Sequence, residues 1–335
     1  IDRAALDVKW SPAGTKFAVA SGNKNAVVCW YDPANNWWIG NPCKREKMKS
    51  TAHSSVTAVA WHPGGQVLAA ASTDYRARVL FAYVEGVDAA PDGAQFGAGY
   101  EFGDVIAEFE QTRAWVNDIA WSPSGLRLGF LGHDGLIHIV SFDAAGKAPP
   151  ATVSIKTSGL PAMKLLWLHD AAIVTAGHSM NPEVYTEAAA DRWALAGACD
   201  EKPAAGGGGG GGAGGAAGPR ASSSFGSAKA IFAAKVTRGV TAAEADDIVT
   251  ALWTKHQGAI TSLQPYTLAG ALLCLPFWAW RCYCWYHPIH ASPHPHHPTT
   301  PYPPNAATGV RAFSTTGADG RIVVWDLAAL KHIRL

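Results

Sequence analysis

The residues with the greatest chemical capacity lie towards the end of the sequence. Cys282 and Cys284 precede His287, His290, His294, His296 and His297, donors of the type that hold transition metals. The spacing argues against a built site. A C-x-C pair followed by histidines broken by prolines at 288, 293, 295 and 298 lacks the ligand intervals of structural zinc. Asp74, Asp134 and Asp319 sit in turn-forming contexts (STDY, GHDG, GADG) and read as turn formers, not as paired acid–base carboxylates. His53, His133 and His256 recur at similar points along the chain, where hydrogen bonding within a sheet is the simpler reading than catalysis. The glycine tract beginning at 206 has no Lys-Ser/Thr and no strand–helix frame, so it is not a phosphate cradle. No G-x-S-x-G, dinucleotide fingerprint, H-E-x-x-H or kinase set is present. The expectation is a protein with no catalytic residue, no metal and no cofactor, and hence not an enzyme.

The elements that would position these residues come from a repeat. Three segments align without gaps: LDVKWSPAGTKFAVASGNKN, VTAVAWHPGGQVLAAASTDY and VNDIAWSPSGLRLGFLGHDG. In each, an alternating apolar strand ends at Trp10, Trp61 or Trp121, just before Pro12, Pro63 or Pro123. Proline cannot donate to a sheet ladder and so stops the strand. Gly14, Gly64 and Gly125 are read as supplying the turn. A second apolar strand then runs to Asn23, Asp74 or Asp134, each thirteen residues after its Trp. Third strands follow in RARVLFAYV (76–84) and LIHIVSF (136–142). A weaker fourth unit surrounds Trp167. A fifth opens at His256 and closes in ADGRIVVWDL, where Asp319 precedes Trp325 and Asp326 in a D-x5-W-D ending. That ending is the signature of a WD repeat, and repeats of this build are the blades of a β-propeller. The predicted fold is all-β, with four units over 1–200 and a last blade over 256–335.

Composition agrees. The 335 residues are 48% apolar, enough for a large repeat-built core, and the net charge of +1 argues against a chain built to coat nucleic acid or an anionic membrane. Six cysteines at irregular intervals do not form a disulfide framework, which points to a reducing compartment. The cluster KREKMK (44–49) reads as a solvated loop or a docking patch for an acidic partner.

Two segments interrupt the repeats. The first, over 201–255, joins a Gly-rich tether to a short helical arm. Thr241 and Glu244 make a capping box ahead of Ile248, Leu252 and Trp253, predicting a helix over about 241–254. A second short helix over about 227–237 carries Ile231 and Phe232. This arm either binds a partner or folds back onto the blades. The second interruption, 267–305, contains an apolar run too short and too broken to span a bilayer, followed by the proline-rich histidine tract. Its composition is foreign to the blades, and it reads as a disordered or artefactual insert.

The chain resembles the WD-repeat propeller subunits of the actin-related protein 2/3 complex. The stretches that carry the resemblance include the opening repeat, the paired Trp37 and Trp38 in NNWWIGNPCKREKMKST, the long hairpin after Tyr83, AWVNDIAWSPSG, and the closing FSTTGADGRIVVWDL. The resemblance implies a seven-bladed propeller, of which about five blades are visible here, beginning at what corresponds to the family's third blade. Five blades cannot close a seven-bladed ring, so poor solubility is expected of this chain on its own. It further implies a cytoplasmic, non-catalytic subunit on the actin cytoskeleton. Its partners would be the actin-related proteins and smaller subunits of the complex, the actin filament, and WASP-type activators with acidic tails; neither nucleic acid nor a membrane span is expected. The arm would contribute filament and activator contacts through Ile231 and Phe232. The alternative is a general WD-repeat adaptor for another multiprotein complex.

Overall fold

The computed structural model describes residues 3–44, 50–89, 96, 99–143, 152–201, 254–266 and 310–333. These residues form five antiparallel sheets that follow one another in chain order. The first is β1 (Ala5–Trp10), β2 (Lys16–Ser21), β3 (Ala26–Asp32) and β4 (Trp37–Pro42). The second is β5 (Val56–Trp61), β6 (Val67–Ser72), β7 (Ala77–Phe81) and β8 (Val105–Phe109). The third is β9 (Val116–Trp121), β10 (Arg127–Gly132), β11 (Leu136–Ser141) and β12 (Val153–Lys156). The fourth is β13 (Ala162–His169), β14 (Ala172–Gly177), β15 (Glu183–Ala189) and β16 (Arg192–Ala198). The fifth has three strands, β17 (Ile260–Tyr266), β18 (Ala312–Gly317) and β19 (Ile322–Asp326). Each sheet pairs its strands in sequence, and the first strands β1, β5, β9, β13 and β17 lie side by side around one cavity. This is a five-bladed propeller arrangement.

The turns explain the repeat. After Trp10, Trp61 and Trp121 the same two backbone bonds recur, from Ser11 N–H to the Lys16 carbonyl and from Gly14 N–H to the Ser11 carbonyl in the first sheet. The residues holding positive φ at this turn are Gly14 (71°), Gly65 (75°) and Gly125 (76°). The sequence pattern points to Gly64 in that role. The structure corrects it to Gly65, the fourth residue after the Trp in every case. The next turn has its left-handed residue at Lys24, Tyr75, Gly135 and Gly320, immediately after Asn23, Asp74, Asp134 and Asp319.

In the first four sheets the second strands are buried on both faces, which is why they are apolar: all six residues of β6, VLAAAS, are buried. Alanine-rich strands let neighbouring sheets approach closely, while Leu68, Phe130 and Phe313 fill the wider gaps. Two cores, one between the first and second sheets and one between the second and third, each take residues from both neighbours.

Among the described residues, the helical content is a single 3-10 turn, Leu327–Ala329, capped by the Asp326 carboxylate at the Ala328 N–H. From there Leu330 and Ile333 return to the fourth sheet, where Ile333 lies against Gly197 and His332 Nε2 sits 2.8 Å from the Ala198 carbonyl. No helix of the described residues is long and apolar enough to cross a membrane.

Candidate functional site

The repeat-defining side chains divide into two networks. One lies inside each blade, at the turn between its second and third strands. The carboxylates of Asp74, Asp134 and Asp319 each accept a backbone N–H from the loop that enters their own sheet: His53 at 2.9 Å, Arg113 at 3.0 Å and Gln257 at 2.7 Å. Each carboxylate therefore fixes a loop as well as a turn. Small residues stand two positions earlier (Ser72, Gly132, Gly317) because the aspartate folds back over them; a Cβ at Gly132 or Gly317 would overlap the carboxylate.

In the fifth sheet the network is longest. His256 places Nδ1 3.3 Å from Asp319 and Nε2 2.8 Å from Thr315 Oγ1, and the Trp325 indole N–H donates to the same Oγ1 at 2.8 Å. His256, Thr315 and Trp325 are all buried. Burial opposes ionisation of Asp319, but the Gln257, Arg321 and His256 bonds prevail and hold its carboxyl below the usual range. The second sheet substitutes an ion pair: buried Arg78 contacts Asp74 at 2.7 and 3.1 Å and Glu108 at 3.1 Å. Desolvation again raises and Arg78 lowers the Asp74 pKa, with the lowering dominant. His53 bonds Asp74 through its backbone N–H, and His133, in an exposed turn, places Nδ1 3.3 Å from the Asn117 side chain of its own sheet, so all three histidines bond within a blade as the sequence predicts, His256 alone through a buried ring.

The second network joins blades. The Trp61 indole donates to the Lys9 carbonyl at 2.9 Å and the Trp167 indole to the Ala120 carbonyl at 3.0 Å, so each tryptophan reaches back to the preceding sheet. Asp7 accepts the Val59 N–H at 3.2 Å and Asp118 the Leu165 N–H at 2.9 Å. Trp121 is buried too, but its indole N–H has no partner among the described residues because His62, Phe96 and Phe142 pack around the ring. Trp10 alone of the repeat tryptophans is 57% exposed.

The first strands enclose a cavity of about 440 Å³ whose lining includes Asp7, Lys9, Asp118, Lys164 and Gln264. Burial pushes the Asp118 carboxyl up despite Lys164 at 3.5 Å, and Asp118 in turn raises Lys164. Its lining contains no histidine or cysteine among the described residues. The polar groups here hold neighbouring strands together, as the Val59 and Leu165 bonds show.

These observations describe a stack of WD-type sheets. The family described as "WD domain, G-beta repeat" matches residues 45–79. "Actin-related protein 2/3 complex subunit 1B" of Arabidopsis thaliana is 31% identical over 332 residues, covering 99% of this chain and 73% of the relative. "Actin-related protein 2/3 complex subunit 1" of Schizosaccharomyces pombe is 31% identical over 327 residues, 98% of this chain and 74% of the relative. The chain belongs to the actin-related protein 2/3 complex subunit 1 family. The subunit 1 protein of Saccharomyces cerevisiae, 32% identical, matches 60% of this chain and 50% of its own length. The arm residues expected to serve a subunit of this family, Ile231, Phe232, Ile248, Leu252 and Trp253, lie outside the described residues, as does the Cys282–His297 tract.

Sequence reasoning missed the cations between blades. Lys16 lies over the Trp61 ring at 4.7 Å, donates to the Ala82 carbonyl at 2.7 Å and pairs with Asp88. Arg127 lies over Trp193 at 5.7 Å and grips Glu187 at 2.6 and 3.1 Å. Both stand six residues after a repeat tryptophan, a signal present in the sequence. An exposed group was missed as well: Trp115 packs against His133 at 5.9 Å, and His133 against His178 at 6.2 Å, above the junction of the third and fourth sheets.

Proposed function

We propose that this chain is a non-catalytic structural subunit of an actin-related protein 2/3 complex, in the cytoplasm on the actin cytoskeleton, where it supports nucleation and branching of actin filaments. The observation that carries the reading is 31% identity over nearly the whole chain to proteins named as subunit 1 of that complex. The architecture supports it physically. Sheets stacked through buried aromatic, ionic and hydrogen-bonded clasps form a stiff body, and a stiff body can hold other subunits in fixed relation. Contacts to WASP-type activators and to the mother filament are part of the proposal and rest on the family resemblance, with Ile231 and Phe232 as the arm residues involved.

Gentle purification of the endogenous protein with stoichiometric mass spectrometry tests the assembly. Two actin-related proteins and four smaller subunits at near one-to-one ratios are expected. A different stable partner set without actin-related proteins would overturn the assignment in favour of a general adaptor. Replacing Ile231 and Phe232 by Ser should then leave the complex intact while weakening its co-sedimentation with filaments; undiminished co-sedimentation removes the arm from the proposal.

A further inference from the structure

The Trp61 indole donates to the carbonyl of Lys9 and the Trp167 indole to that of Ala120, in each case the residue before the tryptophan of the preceding sheet. Trp121 departs from this pattern. The corresponding acceptor is the carbonyl of Ala60, and the Trp121 indole does not bond it. Its N–H is buried without a partner among the described residues. Three rings surround the indole instead: His62 at 5.0 Å, Phe142 at 5.2 Å and Phe96 at 5.8 Å.

Phe96 differs from the other two. His62 and Phe142 directly follow strands β5 and β11, whereas Phe96 comes from the connection between β7 and β8. Its side chain is buried in the core shared by the second and third sheets, and its φ is +67°. Of the described non-glycine residues at positive φ, Phe96 alone is buried. A bulky side chain rarely adopts that conformation, and such strain persists only where surrounding contacts impose it. Here the contacts are edge-on packing against His62 at 5.2 Å and Phe142 at 5.7 Å. A left-handed aromatic residue and an orphan donor therefore meet at one point, and neither is usual in a packed interior. A water molecule does not suit the donor. It would need two or more polar partners, and the nearest polar side chain, His62, already bonds the Gly64 N–H and the Gly125 carbonyl.

We propose that the space filled by Phe96 is a binding pocket, with Phe96 as its displaceable internal occupant, for an aromatic ring that carries a carbonyl group, as an aromatic residue of a partner polypeptide does beside its own backbone. Phe96 shows that a ring fits between His62, Trp121 and Phe142. The Trp121 N–H shows what Phe96 lacks, which is an acceptor. Exchange replaces one ring by another, frees the backbone at 96 from its left-handed conformation, and gives the buried donor a partner.

The test uses the full 335-residue chain and two probes of the same shape, acetophenone and α-methylstyrene, of which only the first has a carbonyl. The indole N–H resonance of Trp121 is assigned by Trp121→Phe. In the parent protein acetophenone should move that resonance downfield and α-methylstyrene should not. Phe96→Gly removes the internal occupant and relieves the backbone, so it should tighten acetophenone binding by at least about tenfold, the gain expected when Phe96 fills the pocket more than nine-tenths of the time. Phe96→Leu, a smaller occupant, should give a smaller gain in the same direction and serves if the glycine variant does not fold. In the Phe96→Gly background, Trp121→Phe should lower the ratio of acetophenone to α-methylstyrene affinity by about two- to tenfold, the range of one neutral hydrogen bond; relaxation of the probes' methyl resonances supplies the affinities. No movement of the Trp121 resonance in the parent would overturn the proposal. Affinity unchanged by replacing Phe96, or a ratio unchanged by Trp121→Phe, would do the same.

Discussion

His62 gives the sharpest handle on how the blades are joined. Its ring lies between the second and third sheets, with Trp121 at 5.0 Å and Phe96 at 5.2 Å, both edge-on. Nδ1 accepts the Gly64 N–H at 3.0 Å, so the neutral ring carries its proton on Nε2, which donates to the Gly125 carbonyl at 3.2 Å. Burial pushes its pKa down to about 4, opposed only by the Gly125 carbonyl. The unfolded chain, with an ordinary imidazole near pH 6.5, then binds more protons than the folded one between pH 6.5 and 4. The stabilisation is therefore fully present above pH 6.5 and is lost as the pH falls through that window. A displacement of this size corresponds to about 3 kcal/mol over the whole window, and to about 2 kcal/mol between pH 7.5 and pH 5.0. Asparagine at this position keeps an acceptor for the Gly64 N–H and does not titrate. His62→Asn should lower stability at pH 7.5 by about 1–3 kcal/mol through lost packing but lose about 2 kcal/mol less than the parent on going to pH 5.0. Urea unfolding at both pH values, followed by tryptophan fluorescence, provides the comparison. Carboxylates and His138 titrate in both proteins and drop out of the difference. Equal pH dependence of the two proteins would refute a buried neutral imidazole at this junction.

Gly125→Ala should destabilise by about 2–4 kcal/mol, since φ is +76° and a Cβ would overlap the His62 ring, while Gly14→Ala, at +71° with open space around it, should lose only about 1 kcal/mol; denaturation midpoints distinguish them, and equal losses would refute the contact. Thr315→Val removes the oxygen shared by His256 and Trp325 and should cost about 2–3 kcal/mol with a changed near-ultraviolet dichroism of the fifth sheet; an unchanged spectrum would count against the network. Cys43 and Cys199 are buried with thiols pushed up to about 12, so mass-spectrometric mapping after brief alkylation at pH 8 should find Cys29 labelled before either; early labelling of Cys43 would refute its burial.

The features legible in the sequence are those that solve a local problem. Pro12, Pro63 and Pro123 stop a strand because they lack a donor, and Asp74, Asp134 and Asp319 recur because a carboxylate can bind a nearby N–H. Those facts travel with the residue, so the blades could be counted from them. Gly64 and Gly65 adjoin, so the sequence does not tell them apart, and only the positive φ at Gly65 does. His133 and His256 both bond within a blade, as the sequence predicts, but an exposed turn and a buried loop give the same side chain different partners. The clasps are legible only in part: each cation stands six residues after a repeat tryptophan, but its partner is remote. Lys16 meets Asp88, and Arg127 meets Glu187, across 72 and 60 residues of chain, and nothing near either cation names its partner.

The repeat tryptophan shows why sheet-to-sheet contact must be read separately from the sheet itself. Hydrogen-bond ladders close within each blade, so they contribute nothing to cohesion between blades. That cohesion comes from apolar faces and from a few side chains that cross. Trp61, Trp121 and Trp167 occupy the same strand end as Trp10, yet they are buried because a preceding sheet packs in front of them, and Lys9 and Ala120 give Trp61 and Trp167 a carbonyl as well. Trp10 keeps the strand-end geometry with no described sheet packed in front of it, and its ring is exposed; Trp121, buried with its indole N–H unpaired, shows that the covering sheet and not the acceptor decides. The same logic holds at the other end of the stack, where Ile322 and Val324 are exposed although their counterparts Ala77, Val79, Ile137 and Ile139 are buried. Burial in this fold is therefore a property of pairs of blades, and the two flanks of the stack are the surfaces where the chemistry of a neighbour decides whether that pairing is completed.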